Sequence, residues 1–359
     1  MNSTKKWALG FVMCLACAGV LLSPAGLAQE GSQPKQPQAK TKAEYDAYLA
    51  LFNEQDLTKK VDLAAKFIAE YPASELKPAA YQMQVDSYFN LNQAAKVVES
   101  GEKFMQEYPE AEPATKKFVL LKMMSSYQRL NNFEKTVDTG DQILAIDAND
   151  LAALLTLSSV LPERLPPDDE AKRSTQLDKA MDIAKRAMEE VNKLISGPKP
   201  AAISDQQWAD EKNRLQASVN SAIGLVHLNK KEYQPAQEYY EKATSLARNN
   251  PVDFFRLGYI YAIEARNVGK ELNDMIAALQ NQQNPDQAAA DAAKEKEKVF
   301  NELRDKAIDA YAKSVALKGV TEQQANSELE KLWKNKNDSL EGLPDFIAQA
   351  KAQLEQPVQ

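Results

Sequence analysis

From Ala43 onward apolar residues recur at spacings of three and four, strand-like alternation is absent, and most prolines fall at segment ends. That periodicity predicts amphipathic helices almost without interruption. The helices also come in a repeating order. Lys66-Phe67-Ile68-Ala69-Glu70-Tyr71-Pro72 returns 37 residues later as Lys103-Phe104-Met105-Gln106-Glu107-Tyr108-Pro109, and a degenerate copy, Gln142-Ile143-Leu144-Ala145-Ile146-Asp147, comes 39 further on. The preceding helices correspond too, Ser87-Tyr88 to Asn92 matching Ser126-Tyr127 to Asn131. Each copy ends in residues that pack, and then in a proline or an Asp-Ala-Asn turn that stops the helix.

Between Asn220 and Pro251 the repeat tightens. Ile223, Gly224 and His227 mark a first helix, and Tyr233, Ala236, Tyr240 and Ala243 mark a second. Phe254, Leu257, Gly258 and Tyr261 open the next unit, with Gly258 34 residues after Gly224. Further on, Ala307 and Tyr311 restore the second-helix pattern. Small residues let two antiparallel helices approach closely, and the large ones fill the space between neighbouring pairs. Such a unit cannot bury its apolar face alone and has to stack.

These residues resemble the tetratricopeptide-repeat family over about 43–318, most specifically at 218–262, and the Tyr-Pro endings resemble variant repeats of bacterial envelope proteins. The resemblance implies an all-α, right-handed α-solenoid of about six stacked helix–turn–helix pairs, with first helices lining a groove for peptides or partner domains. It implies no chemistry of its own. It places Ser218, Ser221, Leu225, Leu228 and Asn229 on the groove, then Val252, Phe255, Tyr259, Ala262 and Ile263, with Arg256 beside them. Aromatics backed by an arginine suit an extended peptide or an amphipathic helix. The alternative is that Phe255 and Tyr259 pack against a neighbouring helix or against residues 267–300.

In domain terms the pattern divides into repeats over 43–165, further repeats over 166–318, and capping helices with a tail over 319–359. Residues 267–300, rich in Ala, Gln, Asn, Lys and Glu, read as a helical or disordered insertion that lengthens or separates one pair. Leu329, Leu332, Trp333, Leu340, Leu343, Phe346 and Ile347 are the expected capping residues.

The first 28 residues read as a secretory signal peptide, with Lys5 and Lys6, an apolar stretch from Trp7 to Leu22, and Gly26 and Ala28 at the peptidase positions. A polar leader, 29–42, comes next. Cys14 and Cys17, the two cysteines of the chain, both precede residue 28, so the expected mature chain carries no thiol, disulfide or cysteine-bound metal. Cys17 fits a lipoprotein signal poorly, because leucine stands at −2 and apolar sequence continues beyond it. A lipid anchor there is not expected, and a lipid-anchored subunit of an outer-membrane or cell-wall machine stands as the alternative reading, with an envelope enzyme hidden in the helical array as a weaker one.

After residue 28 the chain holds 42 basic and 51 acidic side chains. Net negative charge argues against nucleic acid, whose phosphates demand basic patches, and no later stretch is long and apolar enough for a membrane span. His227 is the single histidine and reads as a packing residue bonded at its tip. No nucleophile elbow, phosphate-cradling loop or dinucleotide fingerprint occurs, so neither catalysis nor a cofactor or metal is expected. Asp168-Asp169-Glu170 reads as a helix start, and Trp208 and Trp333 as core. The expectation is a periplasmic, non-catalytic scaffold that binds a protein or peptide ligand, with secretion or outer-membrane association left open.

Overall fold

The computed structural model describes residues 37–281 and 286–356. The signal peptide, the leader up to residue 36 and part of the 267–300 stretch lie outside the described residues. Among those described, the helices pair in chain order: α1 (Lys42–Asn53) with α2 (Leu57–Glu70), α3 (Lys77–Asn90) with α4 (Ala94–Glu107), α5 (Pro113–Arg129) with α6 (Phe133–Ile146). Then come α7 (Leu151–Val160) with α8 (Glu170–Ser196), α9 (Asp205–Asn229) with α10 (Tyr233–Leu246), and α11 (Pro251–Gln280) with α12 (Gln287–Leu317). Two further helices, α13 (Glu322–Asn337) and α14 (Leu343–Leu354), close the series, and the described residues contain no strand. Each helix up to α13 packs on its neighbour in sequence, and α3 on α5 and α7 on α9 add first-helix to first-helix contacts. The result is an all-α solenoid.

Helix boundaries reflect local chemistry. Asp56, Asp150, Asp169 and Asn250 each cap a helix with a side-chain oxygen that accepts from a first-turn amide. Ser204 and Gln207 complete a reciprocal capping box at the start of α9. The turns recur as well. Asn92, Asn131 and Lys231 adopt left-handed backbone, with φ of 58°, 56° and 61°, between the two helices of their hairpins. The surrounding amides repeat one bonding ladder: Leu91 to Ser87, Leu130 to Ser126 and Lys230 to Val226. A left-handed residue there satisfies the last carbonyls of the first helix. This shared turn aligns the hairpins in register.

That register exposes two packing solutions. In α2, α4 and α6 a small residue (Ala64, Gly101, Gly140) precedes by three a large buried one (Phe67, Phe104, Ile143). In α10 and α12 the order reverses to Tyr240 with Ala243 and Tyr311 with Ser314. The glycines show why. A Cβ on Gly101 would lie 2.5 Å from Met123 of α5, and one on Gly140 2.7 Å from Leu157 of α7, so each receives a side chain from the first helix of the next hairpin. At Gly224 and Gly258, on first helices, a Cβ would meet the rings of Tyr240 at 3.1 Å and Tyr311 at 2.9 Å. The knob therefore comes from the next hairpin in the N-terminal half and from within the hairpin in the C-terminal half.

Residues 267–300, where described, lengthen α11 and α12 rather than separating them. Leu272 and Ala293 are buried along their shared seam, Phe300 lies over Gly269, and Lys296 pairs with Glu271 across it. Beyond them α13 and α14 pack against α12, burying Leu329 and Leu343 while Leu332, Trp333, Phe346 and Ile347 lean on the same cluster. Leu340 departs from the expected capping set: it sits in the α13–α14 turn, 45% exposed. Trp333 donates from Nε1 to the Glu341 carbonyl at 3.1 Å, which holds that turn outward of the core. No described helix is long and apolar enough to cross a membrane.

Candidate partner-binding face

The face in question is formed by the first helices α9 and α11. The residues that define the repeat sit inside it: Ile223, Gly224, Ala236, Tyr240, Ala243, Phe254, Leu257, Gly258, Tyr261, Ala307 and Tyr311 are buried, and Tyr233 packs against them. His227 is partly buried, its Nδ1 lying 2.5 Å from the Glu232 carboxylate and its ring stacked on Tyr239. These side chains therefore serve mainly to pack the hairpins together.

The expected groove residues divide. Leu225 is corrected: it is 7% exposed, part of the core cluster that includes Tyr240 of α10 and Leu257 of α11. Phe255 is only half-buried but its ring lies 5.8 Å from that of Tyr311, so it supports the hairpin core. Ser218 and Tyr259 are exposed, Tyr259 at 45%, while Leu228, Val252, Ala262 and Ile263 are half-buried. The helix after this hairpin, α13, packs against α12, and Tyr259 belongs to none of the core clusters.

Arg256 and Asn229, both half-buried, are engaged by the chain itself. The Arg256 guanidinium binds Glu163 at 2.7 Å, and Asn229 donates from Nδ2 to the Pro162 carbonyl at 2.8 Å. Both acceptors belong to the connection between α7 and α8. Gln176 of α8 donates to the carbonyls of Leu161 and Arg164, on either side of Pro162 and Glu163, and Arg173 donates to those of Pro166 and Pro167 farther along the connection. Beside Arg256 lies Asp253, 2% exposed, which accepts from Ser221 and from Asn250 Nδ2.

Burial pushes the Asp253 carboxyl above the usual aspartate value, although the Ser221 and Asn250 donors and the Arg256 charge pull the other way. An acid whose folded pKa is raised holds its proton better in the folded chain. Its contribution to stability is full below the unfolded value of 3.8 and is lost as pH rises through the folded value. Asp253→Asn removes that dependence. The stability of this variant relative to wild type, tracked by denaturant titration from about pH 4 to pH 7, should therefore improve with rising pH. A flat or falling difference overturns the assignment.

One constellation, on the equivalent face of α3 and α5, lies outside the groove residues expected from the sequence. Phe89 lies between Lys122 at 4.4 Å and Arg129 at 4.5 Å, and Phe118 flanks Lys122. Lys122 pairs with Asp86 at 2.9 Å, and Arg129 donates to Asn92. The signal was present: Phe118, Lys122 and Arg129 share one face of a helix by their spacing of four and seven. A separate cleft of about 440 Å³ lies between α10, α11, α12 and the end of α14, lined by Phe254, Leu257 and Tyr261 among others. Among the described residues no group of three or more His, Cys, Asp or Glu is placed to hold a metal.

The period, the small-residue register and the recurring left-handed turn make this chain an all-α solenoid of repeated helix–turn–helix hairpins. No protein-family model matches it, and no curated protein matches its sequence. Among solved structures it is similar to a tetratricopeptide repeat protein from Parabacteroides merdae, at 12% identity and a TM-score of 0.44, covering 81% of this chain and 99% of that one. It is also similar to the C-terminal part of a TPR repeat-containing protein from Cytophaga hutchinsonii, at 11% identity and a TM-score of 0.43 over 87% and 95% of the two chains. A thermophilic TPR protein from Thermus thermophilus matches at 14% identity and a TM-score of 0.38, over 71% and 98%. The repeat assignment rests on this chain's own period and turns.

Proposed function

We propose that this protein is a non-catalytic, exported scaffold that binds protein or peptide partners in the bacterial cell envelope. The observation that carries the reading is the first-helix face of α11. There Tyr259 stands exposed between the buried residues Leu257, Gly258, Ile260 and Tyr261, with half-buried Ala262 and Ile263 within about a turn of it. Large apolar groups held at the surface of rigid helices supply contact area at little ordering cost, as partner anchors do. The Phe89 constellation offers the same combination of aromatic and cation on α3 and α5. Export is supported by the N-terminal charge and apolar pattern, by the small residues before Gln29, and by the acidic balance of the remaining chain.

The test is crosslinked capture of the tagged full chain from its own cell envelope, with mass spectrometry of captured proteins and of the bait's amino terminus. The expected result is one dominant partner, lost in the Tyr259→Ala/Ile263→Ala double variant at unchanged melting temperature, and a bait that begins at Gln29. No partner above background, or a bait confined to the cytoplasm with residues 1–28 intact, overturns the reading. A lipid-modified Cys17 at the amino terminus would replace it with the anchored-subunit alternative.

A further inference from the structure

The connection between α7 and α8 is longer than hairpin closure requires. Three residues close α3 onto α4 and α9 onto α10, whereas nine, 161–169, join α7 to α8. Helix α7 is also short, 10 residues against 17 for α5. Pro162 has no amide hydrogen to continue the helical ladder, so the chain leaves α7 early. From there it crosses the first-helix side of the next hairpins without regular secondary structure. Leu161 and Pro162 are buried and Leu165 packs against the same core cluster, so the strap from Pro162 to Pro167 is an exposed ridge of Glu163, Arg164 and Pro167 on an apolar footing.

In a solenoid each repeat packs on its neighbours. This strap reaches farther: Pro162 meets Asn229 of the adjoining hairpin, and Glu163 passes over that hairpin to Arg256 on α11, 93 residues along the chain. The two sides of the contact are unequal. The Arg256 side chain is 16% exposed, set among Tyr240 and Asp253, whereas that of Glu163 is 50% exposed. Glu163 gives up little hydration in this pair, whereas the largely buried Arg256 loses a charge partner when the strap lifts, so the vacated site calls for another anion. Releasing Glu163 leaves the guanidinium and the Asn229 amide where they are, already oriented, so a replacement ligand does not have to order them.

We propose that the strap is the resident occupant of the α9–α11 face, and that a partner engages this face by displacing it. The chemistry of the occupant defines that of the partner: a non-helical segment whose main-chain carbonyl accepts from Asn229 and whose next residue carries a carboxylate for Arg256. Tyr259, about one turn beyond Arg256 on α11, offers an apolar contact for a partner's flanking side chain. The idea deepens the scaffold reading and rests on it, since it concerns the same face.

The probe is the fluorescein-labelled peptide Leu-Pro-Glu-Arg-Leu-Pro-Pro, the sequence of residues 161–167, with a second peptide carrying glutamine in place of its glutamate. Fluorescence anisotropy measures the binding of each to the full wild-type chain and to the Glu163→Gln chain. Glu163→Gln should stay folded, with a melting temperature lowered by no more than a few degrees, and bind the acidic peptide at least ~ten-fold more tightly than wild type. The glutamine peptide should bind that variant at least ~ten-fold more weakly. Equal affinity of the two chains, equal affinity of the two peptides, or no binding overturns the proposal, as does unfolding of Glu163→Gln, which would make the strap a structural element. Failure of envelope capture while the peptide binds as expected would remove the cellular role and leave the displaceable strap standing. Successful capture with no peptide binding would place the partner on another surface.

Discussion

Gly258→Leu is expected to destabilise the protein by about 2 kcal/mol. Forcing methylenes into a packed interior costs roughly 3 kcal/mol, and removing a helical glycine returns about 1. The first added carbon already lies 2.9 Å from Tyr311, whose side chain is 1% exposed and has nowhere to move. The cost should be specific to that ring. In a Tyr311→Ala background the added leucine should fill the space left by the phenol, so the two substitutions together should cost clearly less than their sum. Denaturant titration of the four chains of this cycle measures the coupling. Strict additivity, or an unchanged midpoint for Gly258→Leu alone, would mean that the α11–α12 hairpin is not packed in this register.

Phe104→Ala should have the larger effect, about 4 kcal/mol, because it opens a cavity at a fully buried aromatic. Phe104 has ring contacts with Tyr81 and Tyr108 and belongs to a cluster with Val119, Met123 and Tyr127, which joins the second hairpin to the third. Solenoid stability is a sum of repeat and nearest-neighbour terms, so the loss should stay local. Hydrogen exchange should show amides of α3 to α5 losing protection while those of α10 and α11 keep theirs. If both ends of the chain lose protection equally, the hairpins form one cooperative unit and the nearest-neighbour description fails.

Much of the fold is legible in the sequence because its determinants are local. Helix ends at Asp169 and Ser204 are written in capping residues that act on amides about three positions away. The Tyr71-Pro72 and Tyr108-Pro109 endings mark stops within their own turn. The 34-residue spacing from Gly224 to Gly258 records one repeat, since a small residue is required wherever a tyrosine of the same hairpin crosses the first helix. In the candidate face the same local reasoning reaches only part way. It correctly marks α9 and α11 as first helices, yet it cannot find Glu163 as the partner of Arg256, because nothing near either residue refers to the other.

Leu225 and Tyr259 show the limit most directly. They occupy the same position of the repeat, 34 residues apart, and periodicity gives them one role. One is buried and the other exposed, because burial depends on what is stacked beyond the hairpin: Leu225 sits in a cluster with α10 and α11, while the helix that comes after the Tyr259 hairpin packs on α12. The sequence by itself determined the helices, their pairing and the repeat, through interactions that span a few residues. Only the tertiary structure decided which first-helix residues remain open and that a strap from the fourth hairpin crosses to the sixth. Exposure and long-range polar contacts are properties of neighbours in space, and hairpins of nearly identical pattern can be given different neighbours.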